Sequence, residues 1–147
     1  MRREDRGRVA EIFLHARRHA FTWVPAARFA LDDLEAETKG EVIFVAERAG
    51  RVVGFAALWT PEAFLHHLYV DPAEHRRGVG RRLMRQVMAV ASRPVELKCQ
   101  SNNRAAFAFY LRLGFVPTDS GVSDIGPWER FRAPVIHEPL APVPVQG

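Results

Sequence analysis

Cysteine is almost absent from this sequence: the single thiol, Cys99, rules out an intrachain disulfide and argues against a cysteine-built metal site. No metal is therefore expected. No apolar run reaches the length that spans a bilayer, so no membrane is expected among its partners. The opening MRREDRGRVAEIF is charged and lacks the apolar stretch of a signal peptide, which makes the cytoplasm the expected compartment. Internal repeats are lacking. So are the three-glycine dinucleotide fingerprint and the Lys-Ser/Thr pair of a P-loop, which argues against an ATPase or a kinase.

What remains suffices for one core. A chain of 147 residues that is 48% hydrophobic, with 3 Trp and 10 Phe, reads as a single domain over residues 1–133. Residues 134–147, with Pro134, Pro139, Pro142 and Pro144, read as an irregular tail. The net charge of +4 invites a nucleic-acid reading, but 17 acidic residues stand against 21 basic ones. Only His75 to Arg82, HRRGVGRR, forms a basic run. Such a patch suits a small phosphate-bearing ligand at least as well as a duplex, so no nucleic acid is expected as the main partner.

Apolar positions Val9, Ile12, Phe13, Ala16 and Ala20 predict a helix from about Arg3 to Ala20, and Ala26 to Thr38 predicts a second one ending at Gly40. The period then shortens. VIFVAE (42–47) and RVVGFAALW (51–59) predict a hairpin closed through Gly50, and FLHHLYV (64–70) a third strand ended by Asp71–Pro72. Val79, Leu83, Val87 and Val90 restore the helical period between Gly78 and Ala91, with Met84 and Met88 as core residues. Pro94 marks the switch to the strand Val95–Cys99, and Ser101 to Leu113 forms the next helix. Strands at 115–118 and 128–133 follow, separated by a polar loop. This order predicts an α/β (or α+β) fold, a central mixed sheet flanked by helices.

The sharpest local feature runs from strand to glycine-rich turn to helix, LHHLYVDPAEHRRGVGRRLM. Gly78 and Gly80 let the backbone approach a ligand, and the first helical turn leaves N–H groups free for a diphosphate. Arg76, Arg77, Arg81 and Arg82 add charge around it, though one helix cannot point them all inward. The alternative is purely structural: Gly78 ends a turn and Gly80 permits helix packing.

A second segment bears on that choice. Residues 103–115, NRAAFAFYLRLGF, carry Asn103, Ala106, Phe109, Tyr110, Gly114 and Phe115 in the order and separation of N–x–x–A–x–x–F–Y–x–x–x–G–F. Taken with HRRGVG, this resembles the GNAT superfamily of N-acetyltransferases, most strongly over residues 42–115. The resemblance implies acetyl-CoA, or another acyl-CoA, as cosubstrate in a cleft where two strands splay apart. It implies diphosphate contacts from Arg77, Gly78, Val79, Gly80 and Arg81, beside Arg76. A pantetheine arm would run along Leu68, Tyr69 and Val70, and Asn103 would contact it. Two departures stand out. His75 occupies a position where family members usually carry Gln or Arg, and either hydrogen-bonds the ligand or sits on the surface. The first strand typical of the fold is missing or very short.

Transfer to a primary amine by direct attack needs an unprotonated amine, a held thioester and a stabilised leaving thiolate. No covalent enzyme intermediate is required, so Cys99 is read as a small buried residue. Tyr110 matches the family tyrosine assigned as general acid; packing alone is its other reading. The base is open between His66, His67, Glu62 and water. Adjacent residues on a regular strand point to opposite faces, so one histidine at most is expected in a given cleft. For the acceptor, a small-molecule or peptide amine, the variable segments 21–29 and 119–128 are the candidates. Phe21, Trp23, Phe29 and Trp128 would form an aromatic wall, and Asp119 and Asp124 would attract a cation. A CoA-binding sensor or regulatory module with the same fold is the alternative function. Homodimerisation through a sheet edge or the late strands is left open.

Overall fold

The computed structural model describes residues 1–134, so the expected Pro-rich tail lies outside the described residues apart from Pro134. The elements are α1 (Arg6–Ala20), α2 (Asp33–Glu37), β1 (Val42–Arg48), β2 (Arg51–Trp59), β3 (Phe64–Val70), α3 (Val79–Val90), β4 (Glu96–Gln100), α4 (Arg104–Arg112), β5 (Val116–Ser123) and β6 (Gly126–Arg132). The strands form one sheet in the order β1-β2-β3-β4-β6-β5, antiparallel everywhere except between β3 and β4. Among the described residues no helix is long and apolar enough to cross a membrane.

Strand β2 is buried from Val52 to Leu58 because helices cover both faces of the sheet. On one face, α1 presents Val9, Ile12 and Phe13 to Val52, Phe55 and Ala57. On the other, α3 sets Val79, Leu83, Met84 and Val87 against Val53, Ala56, Leu58 and Leu97. Phe13, Phe55 and Phe131 are fully buried, each stabilising the fold by about 1.5–3 kcal/mol of removed apolar surface. Met84 belongs to this core and Met88 packs against it, as the helical stripe predicts.

Two predicted elements come out differently. The helix expected over Ala26 to Thr38 shrinks to a 3₁₀ turn at Ala26–Arg28 and the short α2. The Asp33 carboxylate accepts the Ala30 N–H at 2.9 Å and also holds Arg17 at 3.1 Å, so a local side-chain bond starts a new helix there. Phe29 is left extended between the pieces. At the other end, most of the expected polar loop is strand. Pairing between β5 and β6 runs to Ser123↔Gly126, leaving Asp124 and Ile125 as the turn.

The feature that positions a site is the seam between β3 and β4. Their parallel pairing covers only Phe64↔Glu96 and Leu65↔Leu97, and beyond Leu65 the strands part. From His67 to Val70, β3 pairs with β2 alone among the described residues.

Candidate active site: the gap between parting strands

The glycine-rich turn follows β3 and feeds α3. Arg76 and Gly78 take left-handed backbone angles, φ +68° and +76°, which turn the chain sharply before the helix starts. Among the described residues, the backbone N–H groups from Arg76 to Arg81 donate to no carbonyl or side chain. A Cβ on Gly78 would meet nothing nearer than Arg82 Nη1 at 3.8 Å, so the surface there is open. Gly80 differs: a Cβ there would press on the Phe109 ring at 3.2 Å. Gly80 therefore packs α3 against α4, as the structural reading of that glycine expects.

The turn is braced from behind. Arg8 of α1 donates to the Val52 carbonyl at 2.9 Å and to Asp71 at 2.6 Å, and Asp71 accepts the Ala73 N–H at 3.0 Å. Burial works against the Asp71 carboxylate, but the Ala73 amide and Arg8 outweigh it and hold its pKa below the usual value. Glu74 takes Arg48 at 2.7 Å and Arg77 at 3.3 Å. The charge of Arg77 is thus partly committed within the protein, and Arg82 donates to the Arg77 carbonyl at 3.3 Å. Arg76 and Arg81 are exposed, as is His75, whose ring lies 5.7 Å from that of His19.

Leu68, Tyr69 and Val70 line the parted edge with backbone. Their side chains serve the core: Leu68 and Val70 on the α3 face, Tyr69 against Phe13 and Phe55. Burial holds the Tyr69 phenol above its usual range. Asn103 caps α4, its Oδ1 accepting the Ala106 N–H at 3.3 Å.

Tyr110 projects from α4 into the core beside the gap, with the rings of Phe109, Phe115 and Phe131 at 5.3, 5.8 and 6.0 Å. Burial, with Cys99 and Tyr69 nearby, holds its phenol above the usual range, so the hydroxyl stays protonated. Its hydroxyl makes no hydrogen bond among the described residues. Burial pushes the Cys99 thiol up to about 12, so it is no thiolate near neutral pH and the reading of Cys99 as an inert buried residue fits.

The two histidines correct the expectation of opposite faces. In the β2–β3 register Ala57 pairs with His67 but Leu58 pairs with Leu65, so His66 is an extra residue in a β-bulge. The bulge breaks the alternation. Both imidazoles lie on the α1/α2 side, 6.1 Å apart, in a row of rings running Phe64, His66, His67, Tyr69. His67 packs edge-on to Phe13 at 4.8 Å and its Nε2 donates to the Glu37 carbonyl at 3.3 Å. Burial pushes His67 down to about 4. His66 is 44% exposed, and its Nδ1 contacts Glu41 Oε2. Glu41 stands just before β1 and was missed in the sequence, where it reads as one more acidic residue beside Gly40. Glu62 is exposed in the 3₁₀ turn Thr60–Glu62.

The variable segments meet each other. Trp23 donates its indole N–H to the Ile125 carbonyl at 2.6 Å, and Arg28 pairs with Asp124 at 2.9 Å. Phe21, Trp23 and Phe29 cluster, at 5.4 and 5.9 Å from Phe21. Trp128 does not join them: its ring packs on Gly121 and under the Lys98 ammonium at 4.3 Å. The expected four-ring wall is therefore a three-ring cluster. Asp119 accepts the Ser120 N–H next to it. Among the described residues no group of side chains is arranged to hold a metal.

The sheet is mixed and opens at one seam, and the turn whose amides lack partners among the described residues follows the parted strand β3. A family model described as the Acetyltransferase (GNAT) family matches residues 8–115, and the chain belongs to that family. It is 39% identical over 77 residues to the N-alpha-acetyltransferase RimI of Mycobacterium tuberculosis, a match covering 48% of this chain and 49% of that protein. The chain thus spans about half the length of that curated relative. Among solved structures, the apo form of YjaB from Escherichia coli superposes with a TM-score of 0.73 at 22% identity, covering 90% of this chain and 92% of that one. An acetyltransferase of Bacillus anthracis, solved in complex with acetyl coenzyme A, gives a TM-score of 0.58 at 25% identity over 63% of this chain and 61% of its own.

Proposed function

We propose that this protein transfers an acetyl group from acetyl-CoA to a primary amine by direct attack. The observation that carries the reading is the run of unpartnered amides from Arg76 to Arg81 at the end of the β3–β4 gap. Backbone donors in a left-handed turn at a helix start suit a diphosphate. The parted edge of β3 at Leu68, Tyr69 and Val70 offers main-chain groups to an amide-bearing arm, and Asn103 Nδ2 adds a donor at the head of α4. Membership of the GNAT family and the acetyl coenzyme A in the B. anthracis structure support acetyl-CoA as the group these residues fit.

Bound there, acetyl-CoA supplies a thioester carbonyl and a thiol leaving group. The residues of the chain do the rest. The amides fix the ligand and the gap shields it from water. Tyr110, kept protonated by burial, holds a proton at its Oη for the departing sulfur. The imidazoles on the α1/α2 side stand where an amine meets the gap, and the segments joined by Trp23–Ile125 border that approach. The amine belongs to a small molecule or a peptide.

Calorimetric titration of the full chain with acetyl-CoA, followed by an amine screen that reads free thiol, tests the proposal. Saturable one-to-one binding with acceptor-dependent thiol release is expected. Folded protein that binds no acetyl-CoA would overturn the reading. Binding without release to any amine would favour a CoA-responsive sensor.

A further inference from the structure

Glu41 is the most conspicuous group that the reaction, as set out so far, leaves without a task. Its side chain is 4% exposed, one carboxylate oxygen meets His66 Nδ1, and the other, Oε1, is buried with no hydrogen-bond partner among the described residues. A buried carboxylate with an orphaned oxygen costs stability, which a merely structural acid would avoid by pairing both oxygens or facing water. Its one partner is the side chain of the bulge.

His66 is also placed differently from its neighbour. It is the first residue past the last β3–β4 pair, at the mouth of the gap, and nearly half exposed. With Nδ1 engaged by Glu41, only Nε2 remains to exchange a proton with anything outside. His67 has no such freedom: its Nε2 is tied to the Glu37 carbonyl and its ring is wedged on Phe13.

We infer that Glu41 is a positioning residue: it holds the His66 ring through Nδ1, so that Nε2 takes the proton of the acceptor ammonium at the mouth of the gap. In that step an N–H bond of the ammonium breaks and its electron pair stays on nitrogen as the attacking lone pair. The proton bonds to His66 Nε2 and passes from there to water. The assignment rests on the amine-acetylation reading above.

The test uses full-length protein with ¹⁵N-labelled histidine, observed at the alkaline end of a titration where imidazoles are neutral. Long-range ¹H–¹⁵N spectra are expected to show His66 with its proton on Nδ1 and a pyridine-type Nε2. Glu41→Ala, and the volume-conserving Glu41→Gln, should lose that single tautomer and give a mixture. Diethyl pyrocarbonate, mapped by mass spectrometry, should modify His66 in the wild type and spare His67. An Nε2–H tautomer at His66, a tautomer indifferent to Glu41, or preferential modification of His67 would overturn the assignment. Acetyl-CoA calorimetry on the same samples separates the two ideas. Absent binding with the Nδ1–H tautomer intact sinks the acetylation reading, whereas normal binding with the wrong tautomer sinks the role of Glu41.

Discussion

Trp23 and Ile125 are joined by a hydrogen bond of 2.6 Å from indole N–H to backbone carbonyl, spanning 102 positions in the sequence. The loop after α1 and the turn of the last hairpin are therefore tied to each other directly. Trp23→Phe keeps a ring beside Phe21 and removes only the donor. The expected cost is about 1 kcal/mol, the usual net value of one hydrogen bond. Amides 123–126 should exchange faster with solvent. Unchanged exchange there would show that the two segments are held by packing alone.

Gly78→Asp should weaken acetyl-CoA binding by well over tenfold. The protein itself has room for the side chain, since the nearest atom lies 3.8 Å from a Cβ, so a loss would come from the ligand side. The left-handed φ of +76° adds a stability cost of about 1–2 kcal/mol that thermal melting would register separately. Unaltered affinity on folded protein would remove the diphosphate from this turn.

Tyr110→Phe should leave the melting temperature and acetyl-CoA affinity close to wild type while lowering kcat about 10²-fold, the scale of one general acid. The hydroxyl makes no hydrogen bond among the described residues, so little folding energy goes with it. Wild-type turnover from this variant would take the acid role away from Tyr110.

His67 should make stability fall in acid. Its folded pKa of about 4 lies below the unfolded value near 6.5, so its contribution is complete above about 6.5 and gone near 4. The ceiling for that change is about 3 kcal/mol, and solvent at the ring edge lowers it. Urea unfolding at pH 7.5, 5.5 and 4.5 measures the slope. His67→Phe should flatten the curve between 6.5 and 4; an identical slope would assign the acid sensitivity to other groups.

The sheet and the glycine-rich turn were legible because their signals are local. Two apolar strand-like runs over 42–59 around Gly50 give a hairpin, and glycines between a strand and a helical stripe give an open turn. His66 was misjudged because alternation assumes an unbroken pleat, and one unpaired residue between Leu65 and His67 reverses every face after it. Glu41 was out of reach for a related reason. It meets His66 only after β1, β2 and β3 are paired side by side, a relation no short window of sequence holds. The second helix breaks where Asp33 offers the backbone a competing bond, and Trp128 stays out of the aromatic cluster because its ring packs on Gly121, its partner across the hairpin.

The open amides of Arg76 to Arg81 carry one last implication, about what is free to vary. A diphosphate held there as proposed would be gripped by main chain, and such a grip is written in the path of the backbone and hardly at all in side-chain identity. Exchanging Arg81, which is exposed and makes no side-chain bond among the described residues, for a neutral residue would leave the same donors aimed the same way, with only long-range attraction reduced. A single bulky residue at Gly78 would close the grip while every charge stayed in place.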